Sequence, residues 1–392
     1  MANPFRWVWQ HPSWPAWRFD AAALSPAIAA ARRAQGEAFG RTQLLTPALD
    51  ARAQTEILVL EGFNTSAIEG EQLDVEALRS SIARRLGVQL ESGKIPAPAT
   101  RAVEGLVDVL QDATQNYEKP LTLDRLNAWQ AALFPTGRSG LYEIRVGQLR
   151  GEEPMRIVSG PHQRERVHYE APPRAGLENQ AQAFLDWFNG ESLRHDGVLR
   201  AGLAHLWFEV LHLYEDGNGR VGRALLDMAL AQDEKRPVRL YSISAQLNSV
   251  RDDYYAALER ASRGDLDATD WLQFFVRQIE AAAKASEASI RKVLDKAKFW
   301  VAHGALSMND RQRKVVNLLL DKGRAGFQGG MSNAKYVSIA KTSPATAQRD
   351  LAELVTAGVL QLKGAGRGAR YEIHWDAPAK EIGLEDNGSP AP

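Results

Sequence analysis

The stretch HLYEDGNGRVGR, residues 212–223, stands between two runs that a chain in water has to bury. Before it, Leu203, Leu206, Trp207, Val210 and Leu211 recur at helical spacing, and after it Ala224, Leu225, Leu226, Met228 and Leu230 continue the pattern. Two buried helices joined by a short polar loop are therefore the centre of the fold. Glycines at 217 and 219 permit positive φ angles and close backbone approach. The second helix opens with free amides and the positive end of its dipole, both of which attract anions. Arg220 and Arg223, three residues apart, are spaced to point at the same anion. Asp216 can give a hard oxygen to Mg²⁺, which usually keeps several waters and bridges phosphates through one or two carboxylates. His212 is the natural general base. Each feature alone has a bland counterpart in a helix cap, a surface turn or a solvated arginine. Together and in this order they point to a phosphate-handling site. His205, seven residues before His212, reads as a packed or capped histidine in preference to one half of a metal pair.

Composition narrows the setting. A chain of 392 residues with 44% apolar content can bury a sizeable core, with two or three units as the prior. Its 48 Lys and Arg balance 48 Asp and Glu, so the whole molecule is not a polyelectrolyte partner for nucleic acid or an anionic membrane. The lack of cysteine removes disulfides, thiolate catalysis and cysteine-based zinc, and suits a reducing cytoplasm. The N-terminus, aromatic and proline-punctuated, is unlike a signal peptide, and no run of about 18 apolar residues marks a membrane span. A cytoplasmic protein without membrane contact is expected. No G-x-x-x-x-G-K-[ST] loop, kinase set or H-E-x-x-H competes for the chemistry.

The pattern along the chain predicts a mainly α fold. Amphipathic helices cover residues 21–86, a loop covers 87–102, and further helices end near Tyr117 and cover 121–134. Met155–Ser159 and Arg166–Tyr169 flank a Gly-Pro turn and read as a hairpin. A long polar-faced helix runs from Trp271 to about Trp300. From 305 the character changes to three helices and a two-stranded hairpin, with Ser343 as N-cap, Pro344 at the first helical position and Gly358 as the stop. Upstream, Ser66 and Glu69 in NTSAIEGEQL have the spacing of a capping box that opens a helix.

The loop resembles the signature of the Fic family, H-P-F-x-[DE]-G-N-G-R-x-x-R, with matches at His212, Asp216, Gly217, Asn218, Gly219, Arg220 and Arg223. It departs at Leu213 and Tyr214, where proline and phenylalanine are usual. The resemblance, which extends over roughly residues 1–285 and includes the leader WQHPSWPAW, implies an all-α core with a β-hairpin flap. It also implies transfer of AMP from ATP to a hydroxyl side chain of a target protein. In that reading His212 takes the proton and Asp216 holds Mg²⁺. Asn218, the Gly217–Gly219 backbone and Arg220 grip phosphates, while Arg223 meets the γ-phosphate. Self-regulating members carry [ST]-x-x-x-E-[GN], met here by Thr65, Glu69 and Gly70, and the resemblance implies that Glu69 pairs with Arg223 and keeps the enzyme off. That role and the capping box can hold together. Val158, Ser159, Gly160 and Pro161 would line the flap edge, and Tyr254 would pack near adenine, beside the plainer readings of a hairpin and a core aromatic. The implied division is 1–110 for the inhibitory helical region, 111–285 for the core, 286–304 for a linker helix, 305–376 for a winged helix and 377–392 for a disordered tail.

Residues 306–375 hold eleven Lys and Arg against five Asp and Glu. A winged helix with that excess would turn Thr346, Gln348 and Arg349 toward DNA, with Arg367 and Arg370 in the wing. Protein contact or packing as a homodimer is the equal alternative. At the level of the whole chain, a DNA-binding regulator with a nucleotide-sensing core stays open, as do transfer of another group, removal of AMP and self-modification.

Overall fold

The computed structural model describes residues 5–42, 47–88, 98–159, 166–237, 240–303, 306–324, 329–364 and 366–375. Gly160, Pro161, the Arg367 side chain and the tail from 377 lie outside the described residues. The chain divides into two units, 1–287 and 288–392. Among the described residues no helix is long and apolar enough to cross a membrane.

The first unit is mainly helical. Its opening helices are α1 (Ala21–Thr42), α2 (Pro47–Ile68), α3 (Val75–Arg85), α4 (Arg101–Gln115) and α5 (Leu123–Leu133). Side-chain caps explain where several begin: Asp74 accepts from the amides of Glu76 and Ala77, Thr100 from Val103, and Thr122 from Arg125. The capping box expected at Ser66 is absent. Residues 65–68 close α2, the Ser66 carbonyl accepts from the amides of Glu69 and Glu71, and Gly70 turns the chain at φ 81°. The spacing was ambiguous because an S-x-x-E string looks the same at either end of a helix, and Asp74 is the residue that opens the next one. α4 runs across the boundary expected at 110.

Two short antiparallel pairs follow: β1 (Arg138–Ser139) with β2 (Tyr142–Glu143), and β3 (Arg156–Ser159) with β4 (Arg166–Glu170). Beyond them come α6 (Leu177–Asn189), α7 (Gly197–Leu211), α8 (Asn218–Glu234), α9 (Ile243–Ser249), α10 (Arg251–Ala261) and α11 (Thr269–His303), whose residues from 288 on belong to the second unit. Nearly every side chain of α7 is buried, as is most of α8. Their apolar residues join Leu24, Ile68, Leu110, Trp129, Phe184 and Trp271 in one core, so the polar loop between them is carried on the most rigid part of the unit. α2 is fastened along its length as well. The buried Glu61 carboxylate accepts from Ser242 Oγ (2.7 Å) and the Ser244 amide (3.2 Å), and Asn248 donates to Asn64 (2.9 Å).

The second unit contains α12 (Asp310–Asp321), α13 (Asn333–Ala340), α14 (Pro344–Thr356) and the antiparallel pair β5 (Leu360–Lys363) and β6 (Arg370–Ile373). Ser343 Oγ accepts from the Thr346 amide at the start of α14, and Gly358 takes φ 74° after its end. Val315, Leu319, Leu320, Tyr336, Leu351, Leu354 and Tyr371 form its core. One charge lies inside it. Asp350, 2% exposed, accepts from Arg311 Nε (2.9 Å), Tyr336 Oη (3.0 Å) and Asn309 Nδ2 (3.2 Å), tying α12 and α13 to α14. Burial pushes the Asp350 carboxyl up, but these donors outweigh it and hold its pKa below the ordinary value.

Asp350→Ala leaves the Tyr336 hydroxyl and the Arg311 guanidinium without their acceptor, and should destabilise this unit by about 2 kcal/mol. Because the native pKa is depressed, the contribution is complete above the ordinary aspartate range and disappears as pH falls through the native value. Urea unfolding of parent and variant at pH 7 and at pH 3 checks this: the gap between them should narrow at the lower pH.

Candidate active site

The loop after α7 is held by its own side chains. His212 ends the helix in the left-handed conformation, φ 48°. Arg150, 2% exposed, donates from Nε to the His212 carbonyl (2.8 Å) and from Nη2 to that of Pro172 (2.5 Å). Asn218 accepts from the Tyr214 amide (2.9 Å) and donates to the Tyr214 carbonyl (2.7 Å). Its amide thus closes the loop, through the carbonyl oxygen and one of the two N–H groups of Nδ2. Gly217 caps α8 at φ 90°, and a Cβ there would fall 2.7 Å from the Phe134 ring. Both the backbone angle and the neighbour require glycine.

The His212 ring is half-buried, with Nδ1 directed at the Glu209 carbonyl oxygen (3.4 Å), which leaves Nε2 as the proton acceptor. Burial pushes its pKa down to about 4, so the ring is neutral at physiological pH. Asp216 accepts from the Gly217 amide (2.5 Å) and from the Ser139 hydroxyl in β1. Glu215 accepts from the amides of Arg145 (2.9 Å) and Gly151 (3.2 Å), pinning the preceding segment to the loop.

The two arginines do not converge on one point as their spacing suggested. Arg220 pairs with Glu71 (2.9 Å), while Arg223 pairs with Glu69 (2.7 Å). Both acids lie on the turn after α2, on either side of Gly70. Arg223, 1% exposed, also donates from Nε to Thr65 Oγ1 (2.7 Å) and from Nη2 to the Thr65 carbonyl (2.9 Å). Burial pushes Glu69 up, but the charge and hydrogen bond of Arg223, with Arg220 beyond, hold its pKa below the usual carboxylate value. The Glu69 carboxylate lies against the first turn of α8, so that a Cβ on Gly219 would come within 2.2 Å of its Oε1. Glu69 therefore stands where the helix N-terminus and two cations would receive an anion.

Beneath this surface lies a second polar group. His205 is fully buried, bonded through Nε2 to Tyr254 Oη (2.8 Å), and burial beside Arg223 pushes its pKa down to about 3. The Glu209 carboxyl is pushed up to about 7 by burial, against the pull of Arg223. Tyr254, expected near adenine, is 1% exposed and stacked on His205, which makes it a core aromatic. Its neighbour Tyr255 is 41% exposed and donates to the Ile68 carbonyl (3.2 Å) at the end of α2. Val158 and Ser159 lie exposed on β3 as expected for a hairpin edge. Glu71, Ser139 and Arg150 were missed in the sequence. Only Glu71 left a trace, as the second acid of the E-G-E string.

Residues 120–230 match the Fic/DOC family, and residues 7–88 match a domain of unknown function, DUF4172. The chain is 37% identical over 116 residues to protein adenylyltransferase fic-1 of Caenorhabditis elegans, covering 29% of this chain and 20% of that protein. It is 25% identical over 219 residues to protein adenylyltransferase Fic of Drosophila willistoni, covering 55% of this chain and 39% of that one. The aligned part thus spans about a fifth to two fifths of the length of these relatives. A crystal structure of a Fic family protein from Desulfovibrio desulfuricans G20 aligns with TM-score 0.48 and 20% identity over 89% of this chain and 96% of that chain. The Fic/DOC match thus covers the segment that contains the loop between α7 and α8.

Proposed function

We propose that the chain is an Mg²⁺-dependent protein adenylyltransferase that moves AMP from ATP to a hydroxyl of a target protein, and that Glu69 holds it off. The observation that carries this reading is the ion pair of Arg223 with Glu69 at the N-terminus of α8. A site built for anions is filled by the protein's own carboxylate. The relatives' names as adenylyltransferases support AMP as the transferred group.

In this reading the amides opening α8 and the Arg220 guanidinium receive phosphate oxygens once Glu71 gives way, and Arg223 receives the γ-phosphate once Glu69 does. His212 Nε2 then takes the proton of the incoming hydroxyl. Among the described residues no three His, Asp or Glu side chains cluster to hold a metal by themselves. A single carboxylate, Asp216, fits an ion that arrives with the nucleotide and is bound mainly by phosphate and water. When bound, Mg²⁺ would neutralise charge on the phosphates.

We also propose that the second unit is a winged helix that contacts DNA. Gln348 and Arg349 lie exposed near the start of α14, and Thr346 is half-buried beside them. Arg370 sits on β6, opposite Lys363. The local excess of basic residues supports phosphate contact.

Three measurements test these readings. His212→Ala should lower transfer by about 10²- to 10⁴-fold while nucleotide affinity stays close to the parent's. With the ring's pKa at about 4, the parent's rate should show no His212 inflection between about pH 6 and 8. A parent-like rate in the variant would remove His212 from the mechanism.

Glu69→Gly should raise transfer about tenfold or more, because Arg223 becomes free to fix the γ-phosphate and align the α-phosphate. Combining it with Arg223→Ala should cancel the gain. Acid is no substitute for the mutation, since the depressed pKa of Glu69 keeps the pair charged through mildly acidic pH. Labelling of target protein with ATP, quantified for parent, single and double variants, decides the matter, and an activated double variant would refute the control assignment.

The affinity of the full chain for a DNA duplex should fall steeply with salt. Arg349→Ala should weaken it and flatten the slope. An absence of binding at low salt would favour protein contact or dimer packing through this unit.

A further inference from the structure

Arg150 is a buried cation to which the chemistry proposed above gives no part. It stands on the segment between β2 and β3 and is 2% exposed. Among the described residues its guanidinium meets carbonyl oxygens and no carboxylate. Burial pushes its pKa below the ordinary arginine value, so the charge is kept at a cost that something must offset. Part of the offset comes from the carbonyls that end α7, which no amide of the helix can satisfy and which form the negative end of its dipole.

The contacts gather on His212 and its neighbour. Arg150 Nε donates to the His212 carbonyl (2.8 Å), and the amide of the same residue donates to the Leu213 carbonyl (2.9 Å). One residue therefore holds two successive peptide units. Nη2 reaches the Pro172 carbonyl (2.5 Å) just past the end of β4, while Arg174 Nε donates back to the Arg150 carbonyl (2.8 Å). From β4 itself, Tyr169 Oη donates to the Val210 carbonyl (2.6 Å). The end of α7 and the base of the β3–β4 hairpin are thus joined at both Val210 and His212.

His212 needs such a hold. Its backbone, at φ 48° and ψ 61°, lies in the left-handed region, which a residue with a Cβ keeps only where its surroundings over-determine it. The ring's own hydrogen bond is long, with Nδ1 3.4 Å from the Glu209 carbonyl oxygen, so the peptide it hangs from has to aim it. A plain helix cap would be complete with one donor on one carbonyl. The forked guanidinium with an amide beside it instead fixes the peptides on both sides of Leu213 and ties them to the hairpin.

We propose that Arg150 is a positioning residue for proton transfer, aiming the His212 imidazole through its backbone and registering it against the base of the β3–β4 hairpin. The assignment rests on the transfer reading for what the ring does, and on the geometry alone for how the ring is held. Arg150 itself touches no reacting atom. Its charge acts with burial to keep the ring neutral, against the Glu209 carbonyl and the charges of Glu69 and Asp216.

The test has two arms, both on the full chain, with circular dichroism to confirm that each variant is folded. The first reads the ring without ATP, from the nitrogen shifts of ¹⁵N-labelled histidine, the His212 signals being those lost in His212→Ala. The parent should show the form protonated on Nδ1, and Arg150→Ala should move it toward the Nε2–H form that a free imidazole favours. An Nε2–H ring in the parent, or the same ring form in both, overturns the hold on His212. The second arm compares Glu69→Gly with the Glu69→Gly, Arg150→Ala double variant in transfer from ATP. There kcat should fall about tenfold or more while KM for ATP stays within about twofold, because the phosphate contacts lie elsewhere. Should Arg150→Ala not fold, Arg150→Lys keeps the charge without the fork, and a loss of kcat of about threefold or more is expected. An unchanged kcat overturns the assignment and leaves transfer standing, and so does a fall in kcat matched by a rise in KM. If no protein is modified even with Arg150 in place, the transfer reading fails, and the ring arm still sustains or overturns the hold on His212.

Discussion

A guanidinium with 1% of its surface exposed has lost its hydration and must be compensated from within the protein, and Arg223 is such a group, met by a carboxylate as well as by neutral acceptors. Its partners, Glu69 and Thr65, both come from the last turn of α2 and the residue just beyond it. The position of that helix is therefore coupled to the electrostatics of the loop. Removing one member of a buried pair typically costs about 3–5 kcal/mol, mostly because the other is left uncompensated. The anchoring of α2 through Glu61 and Asn64 makes sense in that light, since the carboxylate has to be delivered to one place and kept there. A bound phosphate would offer Arg223 a counter-charge of the same sign, and that competition is what the proposed control by Glu69 turns on.

The loop itself is rigid for a different reason. Its polar groups are largely satisfied within the unit: Asn218 by Tyr214, Asp216 by Gly217 and Ser139, Glu215 by two amides, and the His212 carbonyl by Arg150. Such closure leaves few groups free to reorganise during a reaction, which is the condition under which fixed dipoles and charges work best on a changing charge. It also separates roles that the sequence presented as one list. Asn218 shapes the loop, whereas Arg220 and Arg223 reach the two acids that follow α2.

Much of this could be read in advance because the reading depended on short-range geometry. Helical periodicity located α7 and α8, and the Gly-Asn-Gly turn with its two arginines located the polar loop between them. The Glu69–Arg223 contact joins residues 154 positions apart and was accessible only through family resemblance, since no local pattern encodes it. The failures have physical causes. An S-x-x-E string does not say which end of a helix it occupies, so Ser66 was placed at the wrong terminus. Spacing on a helix gives the direction in which a side chain leaves the backbone but not which acid waits there, so Arg220 and Arg223 diverged onto Glu71 and Glu69. Burial put Tyr254 in the core and left its neighbour Tyr255 exposed, a distinction that sequence had no means to draw.

The space left by the missing methyl at position 219 is occupied by the Glu69 carboxylate, and a Cβ would collide with that oxygen and with the Arg223 guanidinium, 2.9 Å away. On the control proposed above, the vacancy that admits the protein's own acid is also the one a foreign anion would need at the start of α8. A side chain at residue 219 would then close the seat to both anions at once, whereas loss of the acid from the turn after α2 would leave the seat open.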